Sequence, residues 1–186
     1  MSTNDIIIPL GYEDVIVPEG QYGKLRFSGS LIDIKATPRE VRSSDDAAQM
    51  RGYPIAQELT TALCTTKSKK QSPELFLAHV RGDRHIDNPA LKAILRETFG
   101  QSVQGFERAR DEELQKLHCV YGTLNPFSKF LAALPQIVSN DLFEPANLVG
   151  TNAGALNRFV QFDRELLRKM PAVITADFSK DRVQTN

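Results

Sequence analysis

Apolar and polar positions along this chain repeat with two periods, two and 3.6, and the switches between them mark out a series of short elements. Ile6-Ile7-Ile8 and residues 12–17 read as strands broken by Pro9-Leu10-Gly11 and Pro18-Glu19-Gly20, and residues 31–34 read as another. Ser43-Ser44-Asp45-Asp46 offers an N-cap with early acids for a helix through Ala47, Ala48 and Met50, and a second short helix is expected to start near Pro54. Residues 60–66 and 75–80 pair as a hairpin around the polar loop 67–74. The clearest helix follows: Asn88 caps, Pro89 takes the first helical position, Leu91, Ile94, Leu95 and Phe99 form an apolar stripe, and Gly100 ends it.

Beyond that helix, residues 103–106 predict a strand and 111–118 a helix turning Leu114 and Leu117 inward. Ile137 and Val138, residues 148–152 and residues 158–162 supply further strands, with Asn152-Ala153-Gly154 as a bend. Asp163 caps a helix through Leu166 and Leu167, and 172–178 closes as a strand. Strands interleaved with four or five short helices, joined by connections too irregular for repeated βαβ units, predict an α+β domain around a mixed sheet.

Composition narrows the function classes. The 186 residues, 41% hydrophobic, suffice for one substantial core, and lysine plus arginine equals aspartate plus glutamate at 23 each. No global field draws the chain to nucleic acid or membrane, so any RNA contact must come from a local patch. Cys64 and Cys119 sit in apolar runs as small core residues, no Cys/His cluster has metal-ligand spacing, and neither a signal peptide nor a membrane-spanning run is present. These features read as a soluble, cytoplasmic chain that needs no metal or other cofactor.

Candidate chemistry concentrates in residues 117–127, where an apolar run meets the turn Gly122-Thr123-Leu124-Asn125-Pro126 and ends on Phe127. Gly122 permits close approach or positive φ, while Pro126 fixes its own φ and pushes Asn125 out of the helical region. Such a turn presents backbone to a small ligand rather than side chains. Asn125 could cap the turn or meet the substrate, and Asn152, before its bend, reads as a turn residue or a binding one. His79 and His118 read as structural. Lys67, Lys69 and Lys70 are either a solvated loop or a local basic patch, and Arg81, Arg84 and His85 read as surface charges.

The order of these features from about Arg42 to Phe178 resembles the YbaK/prolyl-tRNA-synthetase-associated editing domain. The resemblance is carried by Asp45-Asp46-Ala47-Ala48 with Gly52-Tyr53-Pro54-Ile55, by residues 75–80 leading into Gly82-Asp83-Arg84, and by the helix of residues 87–95. It continues through the 122–127 turn, Leu134-Pro135-Gln136-Ile137-Val138, and Asn152-Ala153-Gly154. It implies a mixed, strongly curved sheet surrounded by short helices, and a trans-acting deacylase that hydrolyses the ester of a mischarged tRNA without a metal, with water as nucleophile. Gly122, Thr123, Asn125 and Pro126 would form the carbonyl-binding catalytic loop; Thr60, Asn152, Gly154, Lys67 and Lys70 would bind substrate. The partners implied are the tRNA acceptor end and an aminoacyl-tRNA synthetase.

Two positions depart from the family pattern. A gap-free register places Thr60 where the family carries a lysine; the register giving that role to Lys67 would make five consecutive polar residues, 67–71, a central strand, and is rejected. Ser139 falls where many members carry aspartate. The alternative to a deacylase is therefore a degenerate domain of the same fold that binds an RNA end, a nucleotide, an amino acid or a protein partner. The expected organisation is an N-terminal extension over 1–41 packed on the domain, the editing domain over 42–180, and a tail at 181–186.

Overall fold

The computed structural model describes residues 24–27, 30–70, 72–128, 130–144 and 147–182. The strand expectations at residues 6–8 and 12–17 lie outside the described residues. Nine of the eleven described strands divide between two sheets. Strands β1 (Lys24–Phe27), β2 (Ser30–Ala36), β8 (Leu148–Asn152) and β9 (Arg158–Asp163) form an antiparallel sheet in the order β1-β2-β9-β8. Strands β3 (Leu59–Ser68), β4 (Leu75–Arg81), β6 (Val103–Arg108), β7 (Gln136–Ser139) and β10 (Val173–Ala176) form a mixed sheet in the order β10-β7-β4-β3-β6. In the mixed sheet β10, β7 and β4 run parallel, and β3 is antiparallel to β4 and β6. A parallel bridge between Glu58 and Gly150 joins the sheets at the start of β3. A small pair, β5 (Arg84–Ile86) with β11 (Ser179–Asp181), completes this α+β fold.

Side chains alternate across the mixed sheet, as strand geometry requires. Cys64, Phe76, Ala78 and Val80 pack under helix α2 (Asn88–Phe99) with Leu91 and Leu95, whereas Leu63 and Leu77 pack on the other face with Leu114 of α3 (Asp111–Lys116) and with Leu124 and Leu131. A third cluster fills the space behind the antiparallel sheet. There Phe127, fully buried, lies 4.9 Å from Phe27 and 4.7 Å from Phe162 between ring centroids, which anchors the end of the glycine-proline turn. Burial of a ring this size contributes about 2–3 kcal/mol.

Helix α1 (Ser44–Arg51) begins where expected: the Ser43 hydroxyl accepts from the Asp46 amide, and Gly52 closes the helix at φ 74°. Three sequence expectations are corrected. In α2 the cap is Asp87, whose carboxylate accepts from the Ala90 amide, not Asn88, because the carboxylate sits one residue earlier with the extended backbone a cap needs. The segment after Asp163 is a 3-10 helix, Arg164–Lys169, and Met170 beyond it returns to extended backbone. Strand β3 also runs to Ser68, so Lys67 belongs to the strand rather than to the hairpin loop. Among the described residues no helix is long and apolar enough to cross a membrane.

Candidate active site

A cleft of about 110 Å³ opens where α1, the start of β3, the end of β8 and the 122–126 turn converge. Thr60, Gly122 and Asn152 line it together, with Ser43, Ser44, Thr61, Tyr121 and Leu124. The Thr60 hydroxyl lies 2.7 Å from that of Ser44, so the first residue of α1 and the second of β3 share a hydrogen bond at the cleft wall. Thr60 also borders a broad trough of about 700 Å³ along the α2 side of the mixed sheet, where Arg84, Arg108, Lys180 and Arg182 stand. The cleft thus opens past Thr60 toward a surface carrying cations.

The turn is rigid for local reasons. Gly122 has φ 85°, a region that L side chains rarely adopt, and an added Cβ would stand 2.9 Å from Leu156 Cδ2. The Thr123 hydroxyl donates to the Val120 carbonyl and accepts from the Val120 amide, and the Thr123 amide donates to the same carbonyl. Asn125 turns inward: its Oδ1 accepts from the Phe127 amide at 3.0 Å and its Nδ2 donates to the Thr123 carbonyl. Asn125 therefore caps the turn from inside the core and is 1% exposed. Among the described residues, the amides of Gly122 and Leu124 have no acceptor, and both residues line the cleft. They are free donors.

Two chains of buried polar groups hold the ends of the turn. At the Gly122 end, Asn152 Nδ2 donates to the Gly122 carbonyl while Asn152 Oδ1 accepts from Arg51 Nη2. The Arg51 side chain is 1% exposed and donates through Nη1 to both oxygens of Glu58 at 2.8 and 2.9 Å; Tyr53 donates to Glu58 Oε1 at 2.7 Å. The Arg51 guanidinium also stacks 4.8 Å from the Phe159 ring centroid. Burial raises the Glu58 carboxyl above its ordinary value, against the opposing pull of Arg51 and Tyr53, and burial also pushes the Tyr53 hydroxyl up. At the Pro126 end, Gln136 Nε2 donates to the Pro126 carbonyl and Gln136 Oε1 pairs with His79 Nε2 at 3.0 Å. His79 Nδ1 in turn lies 3.0 Å from the hydroxyl of Thr61 on the cleft wall.

Sequence reasoning nominated Thr60, Gly122 and Asn152, which the fold brings together. Thr123, Asn125, Pro126 and Gly154 are not among the residues lining the cleft. Lys67 stands seven residues beyond Thr60 along β3, about 23 Å at strand rise, and is paired with Glu107 at 2.7 Å; Lys70 lies past the end of that strand. Ser139 is buried at the end of β7. Sequence reasoning gave no site role to Arg51, Glu58, Tyr53 or Gln136. The available signals were Glu58 directly ahead of the β3 apolar run, and Gly82 and Gly150, where a Cβ would meet Glu58 Cβ at 2.7 Å and the Tyr53 hydroxyl at 1.8 Å respectively. Among the described residues no three His, Cys, Asp or Glu side chains are arranged to hold a metal ion.

A family model for the aminoacyl-tRNA editing domain matches residues 38–170. The chain is similar to the crystal structure of hypothetical protein APE2540, with 16% identity and a TM-score of 0.65 over 80% of this chain and 91% of that one. It is also similar to a proposed trans-editing enzyme for prolyl tRNA synthetase, with 21% identity and a TM-score of 0.63 over 80% of this chain and 87% of that one. At these identities the likeness is one of fold. No curated protein matches the chain in sequence.

Proposed function

The chain belongs to the aminoacyl-tRNA editing domain family, and from that premise we propose that it is a trans-acting aminoacyl-tRNA deacylase whose reaction centre is the cleft between Thr60 and Gly122. The observation that carries this reading is the pair of unspent amides at Gly122 and Leu124, in a turn held rigid at both ends. The substrate carbonyl sits against these donors. Water attacks its carbon, the C–O bond to the terminal ribose breaks, and the proton from water passes to the departing ribose oxygen. Donors fixed beforehand stabilise the developing oxyanion without reorganising; one such donor is typically worth about 2.7–4 kcal/mol. The ester is already activated, so positioning supplies much of the remainder and no metal is required.

The Ser44 and Thr60 hydroxyls, 2.7 Å apart, supply neutral donors and acceptors to the ribose or to the attacking water. Glu58, though it borders the cleft, has its oxygens engaged by Arg51 and Tyr53 and serves the wall. The tRNA acceptor end approaches past Thr60 from the trough, with Lys67, already paired with Glu107, and Lys70 standing well outside the cleft. The second reading, a domain that binds without hydrolysing, is favoured by one observation: no lysine lines the cleft among the described residues.

Release of amino acid from cysteinyl-, prolyl-, alanyl- and seryl-tRNA, cognate and mischarged, decides between them. Wild type is expected to hydrolyse at least one member above the spontaneous rate, unaffected by chelator. Thr60→Lys should accelerate it by about 10- to 150-fold, the worth of one charge-assisted hydrogen bond, because the longer side chain can reach the trough. Hydrolysis of no member by either protein would leave the binding role.

A further inference from the structure

Asn152 already uses both ends of its carboxamide before any substrate arrives. Its carbonyl oxygen takes a hydrogen bond from Arg51, and its amide nitrogen gives one to the Gly122 carbonyl. The carboxamide does both at any pH, since it carries an acceptor and a donor on one planar group. Arg51 is held at both terminal nitrogens of its fork, one bound to Glu58 and the other to Asn152, while its buried Nε has no partner among the described residues. We infer that Arg51 and Asn152 are positioning residues which set the orientation of the Gly122 peptide, and through it the free amides of the turn, while touching no substrate themselves.

The chain of contacts explains why a buried ion pair stands beside a cleft of hydroxyls and backbone. A buried Arg–Glu pair is a weak source of stability, because desolvation offsets much of its attraction. It is, however, a stiff mount. The fork fixes the Asn152 plane, which fixes the Gly122 carbonyl; with that carbonyl drawn to Asn152, it is not available to turn into the cleft and compete with an incoming oxyanion. Gly122 at φ 85° lacks a side chain that would hold this peptide by itself. The opposite end is held separately through Gln136, so removing the Arg51 relay frees one end of the turn only.

This inference rests on the deacylase reading for its catalytic consequence but not for its structural one. Asn152→Asp is nearly isosteric, keeps the acceptor for Arg51, and replaces the donor to Gly122 with an oxygen that repels the carbonyl. Around the introduced carboxyl stand Arg51 and, beyond it, Glu58 and Tyr53. Two readouts are taken from the full chain: amide hydrogen exchange without substrate, and hydrolysis as a function of pH relative to wild type. Exchange of the Thr123 amide should rise by about 10-fold or more, the loss of one hydrogen bond, with α2 and β4 unchanged. The value of kcat should fall by a similar factor with KM little altered, and the deficit should shrink at acid pH, where the protonated carboxyl again donates to Gly122. Arg51→Lys, which keeps the charge but not the fork, should reproduce the loop exchange without the acid recovery. Unchanged exchange at the turn, or faster exchange throughout the chain, would overturn the inference. Altered exchange in the turn, with no hydrolysis by wild type, would keep the inference and remove the deacylase reading.

Discussion

His79 shows how a single residue supports the cleft without entering it. It is fully buried on the Thr61 side of β4, and burial lowers its imidazole to about 4, with the Gln136 contact opposing that shift. The neutral ring accounts for both neighbours, with one nitrogen donating to Gln136 Oε1 and the other accepting from the Thr61 hydroxyl. The unfolded chain takes up a proton near 6.5, whereas the folded chain resists it until about 4. The stability due to this group is therefore complete above 6.5 and lost as pH falls through that window. At about 1.4 kcal/mol per pH unit, the loss is at most roughly 3–4 kcal/mol. Urea denaturation at pH 7 and pH 4.5 is expected to show this difference in wild type and to show it reduced in His79→Gln. An identical pH dependence in both proteins would place the acid sensitivity elsewhere.

At the scale of elements, the site depends on two sheets meeting at the bridge between Glu58 and Gly150. Gly150 is required there because an added Cβ would lie 1.8 Å from the Tyr53 hydroxyl oxygen. Gly150→Ala should cost about 1–3 kcal/mol by overpacking, and the cost should shrink when Tyr53→Ala has already removed the ring; equal costs in both backgrounds, measured by thermal denaturation, would separate Gly150 from Tyr53. This junction is also where the chain was hardest to read. The hairpin of β3 and β4, the caps at Ser43 and Gly100, and the Leu91 and Leu95 stripe follow from local period and capping chemistry, and all are present. Arg51, Glu58 and Asn152 are brought together from three separate elements. No periodicity encodes such a contact, and a charged residue ahead of a strand looks like an exposed flank until the partner sheet is known. Thr60 and Gly122 became legible as a pair only because the order of elements resembled a family.

For the whole molecule, formal neutrality leaves substrate capture to local features. The trough beyond Thr60 carries Arg84, Arg108, Lys180 and Arg182, of which Arg84 is paired with Asp181 and Arg182 with Asp45. On the proposed reading, a surface already partly neutralised suits brief contact with the end of a tRNA better than tight binding of its body. The most direct measurement is nuclear magnetic resonance of the amide-labelled protein titrated with amide-linked, non-hydrolysable analogues of prolyl-, alanyl-, cysteinyl- and seryl-adenosine. The account predicts saturable shifts at the Gly122 and Leu124 amides and at Thr60 with at least one analogue. Saturation that leaves the turn unmoved, or no binding by any of the four, would contradict it.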